Sequence, residues 1–237
     1  SQHGIRVTEL AEQARVTKQT AAALVDELDA DAGVVDIVDR YCSRLPVTVI
    51  GDILGVPEKD RPQILRFGEL AAPSLDIGLS WPQFLRVEEG LDSFTQWLTD
   101  HIRALRASPG DDLMSQLIDA NDEGTRLDDS ELLATAGLVL AAGFGTTVNL
   151  LGSGIELLLR HPDQLELLRE RPELWPNAVE EILRLESPVQ LTARIAVADN
   201  DIAGHMIRTG DAVVLYLAGA NRDPEIFPDP HVFDVTR

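Results

Sequence analysis

Apolar positions recur at helical spacing through most of this chain. Between Trp81 and Arg106, the residues Phe84, Val87, Leu91, Phe94, Leu98, Ile102 and Leu105 repeat every three or four positions, and Ser108, Pro109 and Gly110 end the run. The same period predicts helices over Leu45–Leu54 and Asp60–Leu70, separated by the stop Gly55-Val56-Pro57. Further helices are predicted over Asp112–Asn121, Pro162–Glu170 and Trp175–Leu185. Upstream, Val7–Ala14 and Thr17–Leu28 read as two short helices around a break at Arg15-Val16, with Thr17 as an N-cap.

The stretch from Leu132 to Ile155 carries no charge at all. Asp128 and Glu131 have capping-box spacing, so one helix is predicted to run from there to Arg160, where His161-Pro162 ends it. At this rise, about thirty residues reach roughly 45 Å. A helix apolar on every side is a membrane span or the buried centre of a large domain. The glycines at 137, 143, 145, 152 and 154, the hydroxyls of Thr135, Thr146, Thr147 and Ser153, and the lack of a basic cluster favour the buried helix. After Pro188 the pattern shortens and becomes β-branched over Thr192–Ala198, Asp201–Ile207 and Ala212–Leu217, with Gly204 and Gly210 between, which predicts small strands and hairpins. The fold class is mainly α with a small β portion, built round one long central helix.

Composition narrows the function. A net charge of −20 over 237 residues argues against broad nucleic-acid binding. The single cysteine, Cys42, excludes an internal disulfide and suits a reducing cytoplasm, where it reads as a small buried side chain. No apolar leader segment occupies Ser1–Glu12, so a cytoplasmic protein without membrane attachment is expected.

Three blocks carry chemistry. The first is Ala142-Gly143-Phe144-Gly145-Thr146-Thr147 in the long helix. The second is Glu181 and Arg184, three apart on one helical face, followed by Leu185–Gln190 and then Thr192-Ala193-Arg194. The third is Ala220–Pro224 with Phe227–Asp234. In this order and spacing, the blocks resemble the cytochrome P-450 family over roughly residues 30–237. The resemblance implies a haem-thiolate monooxygenase that oxidises a small apolar molecule with O₂ and electrons from a ferredoxin or a flavoprotein reductase. It assigns Ala142, Gly143, Gly145 and Thr146 to the helix over the haem, where one turn loosens into an oxygen pocket. Gly145 stands where the resemblance implies an acid, which removes the expected proton relay. Glu181 and Arg184 become a structural pair, and Arg194 a partner for a haem propionate. The family's third arginine is expected near His231 or Val232; it is missing there, with His231 as a stand-in.

The resemblance also implies a cysteine loop after the third block, and sheet, loop and arginine-helix segments before Val35. Neither is found, so the chain is expected to be truncated at both ends, to have no metal ligand, to bind haem doubtfully and to be inactive in isolation. Residues 1–29, by contrast, resemble the helix-turn-helix of MarR-type regulators, with Ala11 at the helix crossing and Thr17, Lys18 and Gln19 as DNA-contact candidates. The domain reading is therefore 1–29 helix-turn-helix-like and 30–237 monooxygenase-like. A DNA-binding regulator and a non-catalytic fusion relic are the alternative functions.

Overall fold

The computed structural model describes residues 35–71, 78–119 and 129–237. The helix pair expected upstream, with Thr17, Lys18 and Gln19, lies outside the described residues, as does the expected cap Asp128. After a π-helical turn at Val38–Cys42 come α1 (Arg44–Ile53), α2 (Arg61–Ala71), α3 (Trp81–Ala107), α4 (Leu113–Asp119), α5 (Asp129–Arg160), α6 (Pro162–Glu170) and α7 (Trp175–Leu185). The strands β1 (Thr192–Ile195), β2 (Asn200–Ile202), β3 (His205–Ile207) and β4 (Ala212–Leu215) precede a one-turn helix, α8 (Leu217–Ala220). The protein is mainly α with small sheets.

Local chemistry sets the boundaries. Gly55 ends α1 with a φ of +65°, and a side chain there would collide with the carboxylate of Asp112. Ser80 and Gln83 form a capping box at the start of α3, the Gln83 carbonyl accepting from Ser80 N–H at 2.9 Å.

The chain divides into two units, the first ending at Val148 and the second comprising Asn149–Arg237. In the first, Val47, Ile50, Leu54, Ile64 and Phe67 from the α1–α2 region pack with Leu140 and Phe144 of α5. A neighbouring cluster joins Leu98, Ile102 and Leu105 of α3 to Met114 and Ile118 of α4 and to Leu132 and Ala136 of α5. His101 ties α3 to the end of α1 by donating Nε2–H to the Leu54 carbonyl at 2.9 Å, with its ring stacked on Trp97. In the second unit, Leu157 and Leu158 of α5 pack with Leu168 of α6, Ala178, Ile182 and Leu185 of α7, and Phe233 and Val235 near the C-terminal end.

The long helix is not buried on all sides, as its composition led us to expect. It is long and apolar enough to cross a membrane by length and composition, yet only 17% of its most apolar stretch is buried. Leu132, Ala136, Leu140 and Phe144 form one buried line at a four-residue spacing, while Leu138 is 68% and Leu159 is 71% exposed. The neighbouring helices meet one stripe of an all-round apolar helix, and the small residues elsewhere on it leave the opposite side open.

The small sheets are two antiparallel ribbons, β1–β4 with Arg194 opposite Val213, and β2–β3 with Ile202 opposite His205. The hairpin expected around Gly204 is present as β2, a turn and β3. Ala203 and Gly204, with φ of 52° and 82°, make the two-residue turn.

Candidate active site

Within the Ala142–Thr147 block, each residue faces a different environment because successive helical positions turn by about 100°. Phe144 points into the first unit, its ring against α2 where Gly68 leaves room; a Cβ at Gly68 would sit 2.5 Å from Phe144 Cδ1. Gly143 also faces a neighbour, since a Cβ there would lie 2.8 Å from Ile50 Cδ1. Gly143 and Phe144 therefore seat α5, and the absence of a side chain at 143 serves close packing. Ala142 is exposed, and no atom lies within 4 Å of a Cβ built at Gly145. On this open side the Thr146 hydroxyl donates to the Ala142 carbonyl at 2.7 Å. The loosened turn that the resemblance implies is not present. α5 is α-helical from Asp129 to Arg160, and the hydroxyl adds a second donor to a carbonyl inside a regular helix.

In the second unit, the Glu181–Arg184 pair is the most completely bonded polar group. It sits on the inner face of α7, with side chains 2% and 6% exposed. Arg184 Nε donates to Glu181 Oε2 at 2.7 Å, and Nη2 to Oε1 at 2.9 Å. The remaining Arg184 N–H groups reach the carbonyls of Asn221, Pro230 and Val232 at 2.9, 2.7 and 3.1 Å. All five guanidinium donors are used, and Phe227 lies against the guanidinium at 5.2 Å. A charge pair taken out of water is stable only when so satisfied, and removing one partner costs about 3–5 kcal/mol.

The third cation is Arg237, not a residue near His231 or Val232. Its Nε lies 3.3 Å from Glu181 Oε1, while His231 and Val232 are exposed. The loop from Phe227 onward doubles back, so an arginine five residues later in sequence reaches the carboxylate, and Arg237 also donates to the Pro228 carbonyl at 2.7 Å. Sequence reasoning missed Arg237 because spacing in a loop does not fix direction. It also missed Asn221 and Asp234, whose main-chain groups complete the network; the Asp234 N–H donates to Glu181 Oε1 at 3.1 Å. Burial pushes the Glu181 carboxyl upward, but hydrogen bonds from Arg184 and the Asp234 N–H, the Arg184 charge and a hydrogen bond from Arg237 hold it below the usual range.

Arg194 is exposed on β1 and folds back on its own strand, donating to Thr192 Oγ1 at 2.9 Å and to the Ala193 carbonyl at 2.8 Å. The described histidines and the cysteine are otherwise engaged or exposed. Cys42 is fully buried, and burial, then the Asp36 charge, raises its thiol above the usual value. His161 caps α5 through the Leu157 carbonyl at 2.9 Å. Among the described residues, no group of His, Cys, Asp and Glu is arranged to hold a metal ion.

The family model for cytochrome P-450 matches residues 47–237. The chain is 60% identical to the cytochrome P-450 140 of Mycobacterium tuberculosis over 94% of its own length, and 44% identical to the 6-deoxyerythronolide B hydroxylase of Saccharopolyspora erythraea over 93%. The chain spans about half the length of these relatives, 51% and 53%. Among solved structures, it superposes with a TM-score of 0.92 and 34% identity on a cytochrome P-450, BioI, in complex with an acyl carrier protein carrying hexadec-9Z-enoic acid, covering 99% of this chain and 60% of that one. A second match is the cytochrome P-450 PksS of Bacillus subtilis, with a TM-score of 0.87, 33% identity, and coverage of 98% of this chain and 58% of that one. The open Thr146 face and the buried Glu181–Arg184 pair therefore lie in a chain that belongs to the cytochrome P-450 family.

Proposed function

We propose that this chain carries the central helix and the Glu181–Arg184 core of a haem-dependent monooxygenase acting on an apolar molecule, with electrons supplied by a ferredoxin or a flavoprotein reductase in the cytoplasm. The observation that carries the reading is the open side of α5, where Thr146 and Ala142 flank a position with no atom within 4 Å of a Cβ at Gly145. Bound haem would supply the reductive activation of dioxygen that such oxidations need. Ala142, Gly145 and Thr146 of the first unit would leave one helix face free for a flat prosthetic group; separately, the resemblance gives the exposed Arg194 a propionate as partner. Among the described residues, neither Cys42, sealed in the first unit with a raised thiol pKa, nor His101, committed to the Leu54 carbonyl, fits an axial ligand. Thr146 keeps its hydroxyl proton on the Ala142 carbonyl, which leaves its oxygen as an acceptor toward the open side. Gly145 supplies no carboxylate beside it, so proton delivery through position 145 falls to water. The apolar substrate follows from relatives whose names refer to 6-deoxyerythronolide B and to a hexadecenoyl chain.

The test is haemin titration of the 237-residue polypeptide, followed by reduction and carbon monoxide. The expected complex lacks a thiolate-type Soret band, and haemin affinity falls several-fold in Gly145→Phe and in Arg194→Ala. A thiolate-type band, or affinity unchanged in both variants, overturns the reading.

A further inference from the structure

The carboxylate of Glu181 depends on a cation delivered by a segment with no regular secondary structure. Phe227–Arg237 follows α8 as turns and bends, and a segment of that kind does not hold an arginine in place through a ladder of its own. Two uncharged side chains hold it instead. Asn177, near the start of α7, donates Nδ2–H to the main-chain oxygens of Val235 and Arg237, both at 2.8 Å. Gln164 of α6 accepts the Val235 N–H on Oε1 at 3.0 Å. Val235 itself is completely buried against α6 and α7, so the main chain on either side of it is held at fixed height above the helices. Asn177 precedes Glu181 by four residues, one helical turn. The amide that grips Arg237's main chain and the carboxylate that receives its side chain thus lie on the same face of α7.

We propose that Asn177 is a positioning residue: by fixing the main chain at Val235 and Arg237, it sets the Arg237 guanidinium against Glu181. The resemblance that explains Glu181 and Arg184 gives no role to Asn177, and the role does not depend on haem. Arg184 needs no such help, because it stands on the same helix as Glu181. Arg237 reaches the carboxylate from a separate segment; its guanidinium also donates to the carbonyls of Pro228, Asp229 and Val232, but these belong to its own loop, so the tie of that loop to α7 runs through the main chain that Asn177 grips.

The charged groups around Glu181 are Arg184 and Glu180 on α7, and the Arg237 guanidinium. The Asp234 carboxylate, engaged by Thr236 N–H and Oγ1 at 2.9 and 2.7 Å, is the remaining one. α6 presents the neutral Gln164. The experiment is the acid-unfolding midpoint of the full 237-residue chain, followed by circular dichroism, for Asn177→Ala, Arg237→Met and the double variant. Arg237→Met is expected to move the midpoint up by roughly 0.5–1 pH unit through loss of one cation beside the carboxylate. Asn177→Ala moves it the same way, and adding it to Arg237→Met produces no further shift. If Asn177→Ala lowers stability equally at pH 7 and pH 4, or shifts the midpoint additively with Arg237→Met, the amide is merely a structural tie and the proposal fails. Should the alanine variant not fold, Asn177→Leu keeps the side-chain volume and removes the donor, and it reads the same comparison; a leucine variant whose midpoint is unchanged also overturns the proposal.

Discussion

At the scale of single residues, two glycines in one motif do opposite things. Gly143 is needed for close approach, because any side chain there meets Ile50 in the core. Gly145 has open space where its side chain would be and ordinary helical conformation. Glycine costs about 0.5–1 kcal/mol relative to alanine inside a helix. Gly145→Ala is therefore expected to stabilise the protein by that amount and to raise Tm by a few degrees. Gly143→Val is expected to destabilise it by about 1–3 kcal/mol through overpacking. Thermal unfolding of the two variants checks both, and equal effects would refute the distinction. The sequence motif was legible as a helix segment with a threonine and small neighbours. Which glycine faces a wall and which faces space was not legible, since that depends on where α1 lies. Arg237 was illegible for a related reason: a loop's chemistry can be read in sequence, but its return path cannot.

At the scale of elements, periodicity placed the helices well because their apolar stripes are long. α6 and α7 fall where the pattern puts them, and α1, α2, α3 and α5 differ from it by a residue or so at their ends. α4 begins at Leu113, one residue after the predicted start, and its predicted end at Asn121 lies outside the described residues. The small strands and hairpins expected after Pro188 are present, with Asp201–Ile207, punctuated at Gly204, folded as β2, a turn and β3. Ala203 sits at the first central position of that turn, with φ of 52°, where alanine gives no sequence signal. The same conflict yields an expectation. Asn tolerates the left-handed region better than Ala and is a preferred residue at this turn position. Ala203→Asn should stabilise the β2–β3 ribbon by about 0.5–1 kcal/mol. The measurement is amide exchange at Ile202 and His205; slower exchange is expected, and faster exchange would show that the turn is held by something other than its own backbone preference.

At the scale of the molecule, buried and bonded acids set the response to pH. Glu181 is held low against its own burial by Arg184, the Asp234 N–H and Arg237, and Asp234 is held low by Thr236 and Arg237. A carboxyl depressed on folding contributes stability above its unfolded pKa, about 4, and loses it as pH falls through the folded value. Stability should therefore stay level from neutral pH to about 4.5 and decline below it. On the basic side Cys42 acts with the opposite sense. Burial raises its thiol, so the unfolded chain ionises first and stability declines as pH passes about 8.5. The two ends are separable by mutation. Cys42→Ala removes the basic-side contribution of this group and leaves the acid limb in place, at a cost in packing that is the same at every pH. Glu181→Gln together with Arg184→Met does the reverse: it removes the ionisable carboxyl and its nearest cation, so the acid limb flattens while the basic limb stays. The acid limb belongs to the second unit and the thiol to the first. Urea unfolding at pH 4, 7 and 9.5 for the parent chain and both variants measures this, and a parent chain with no acid-side decline would mean that the Glu181 network contributes nothing to stability beyond its packing.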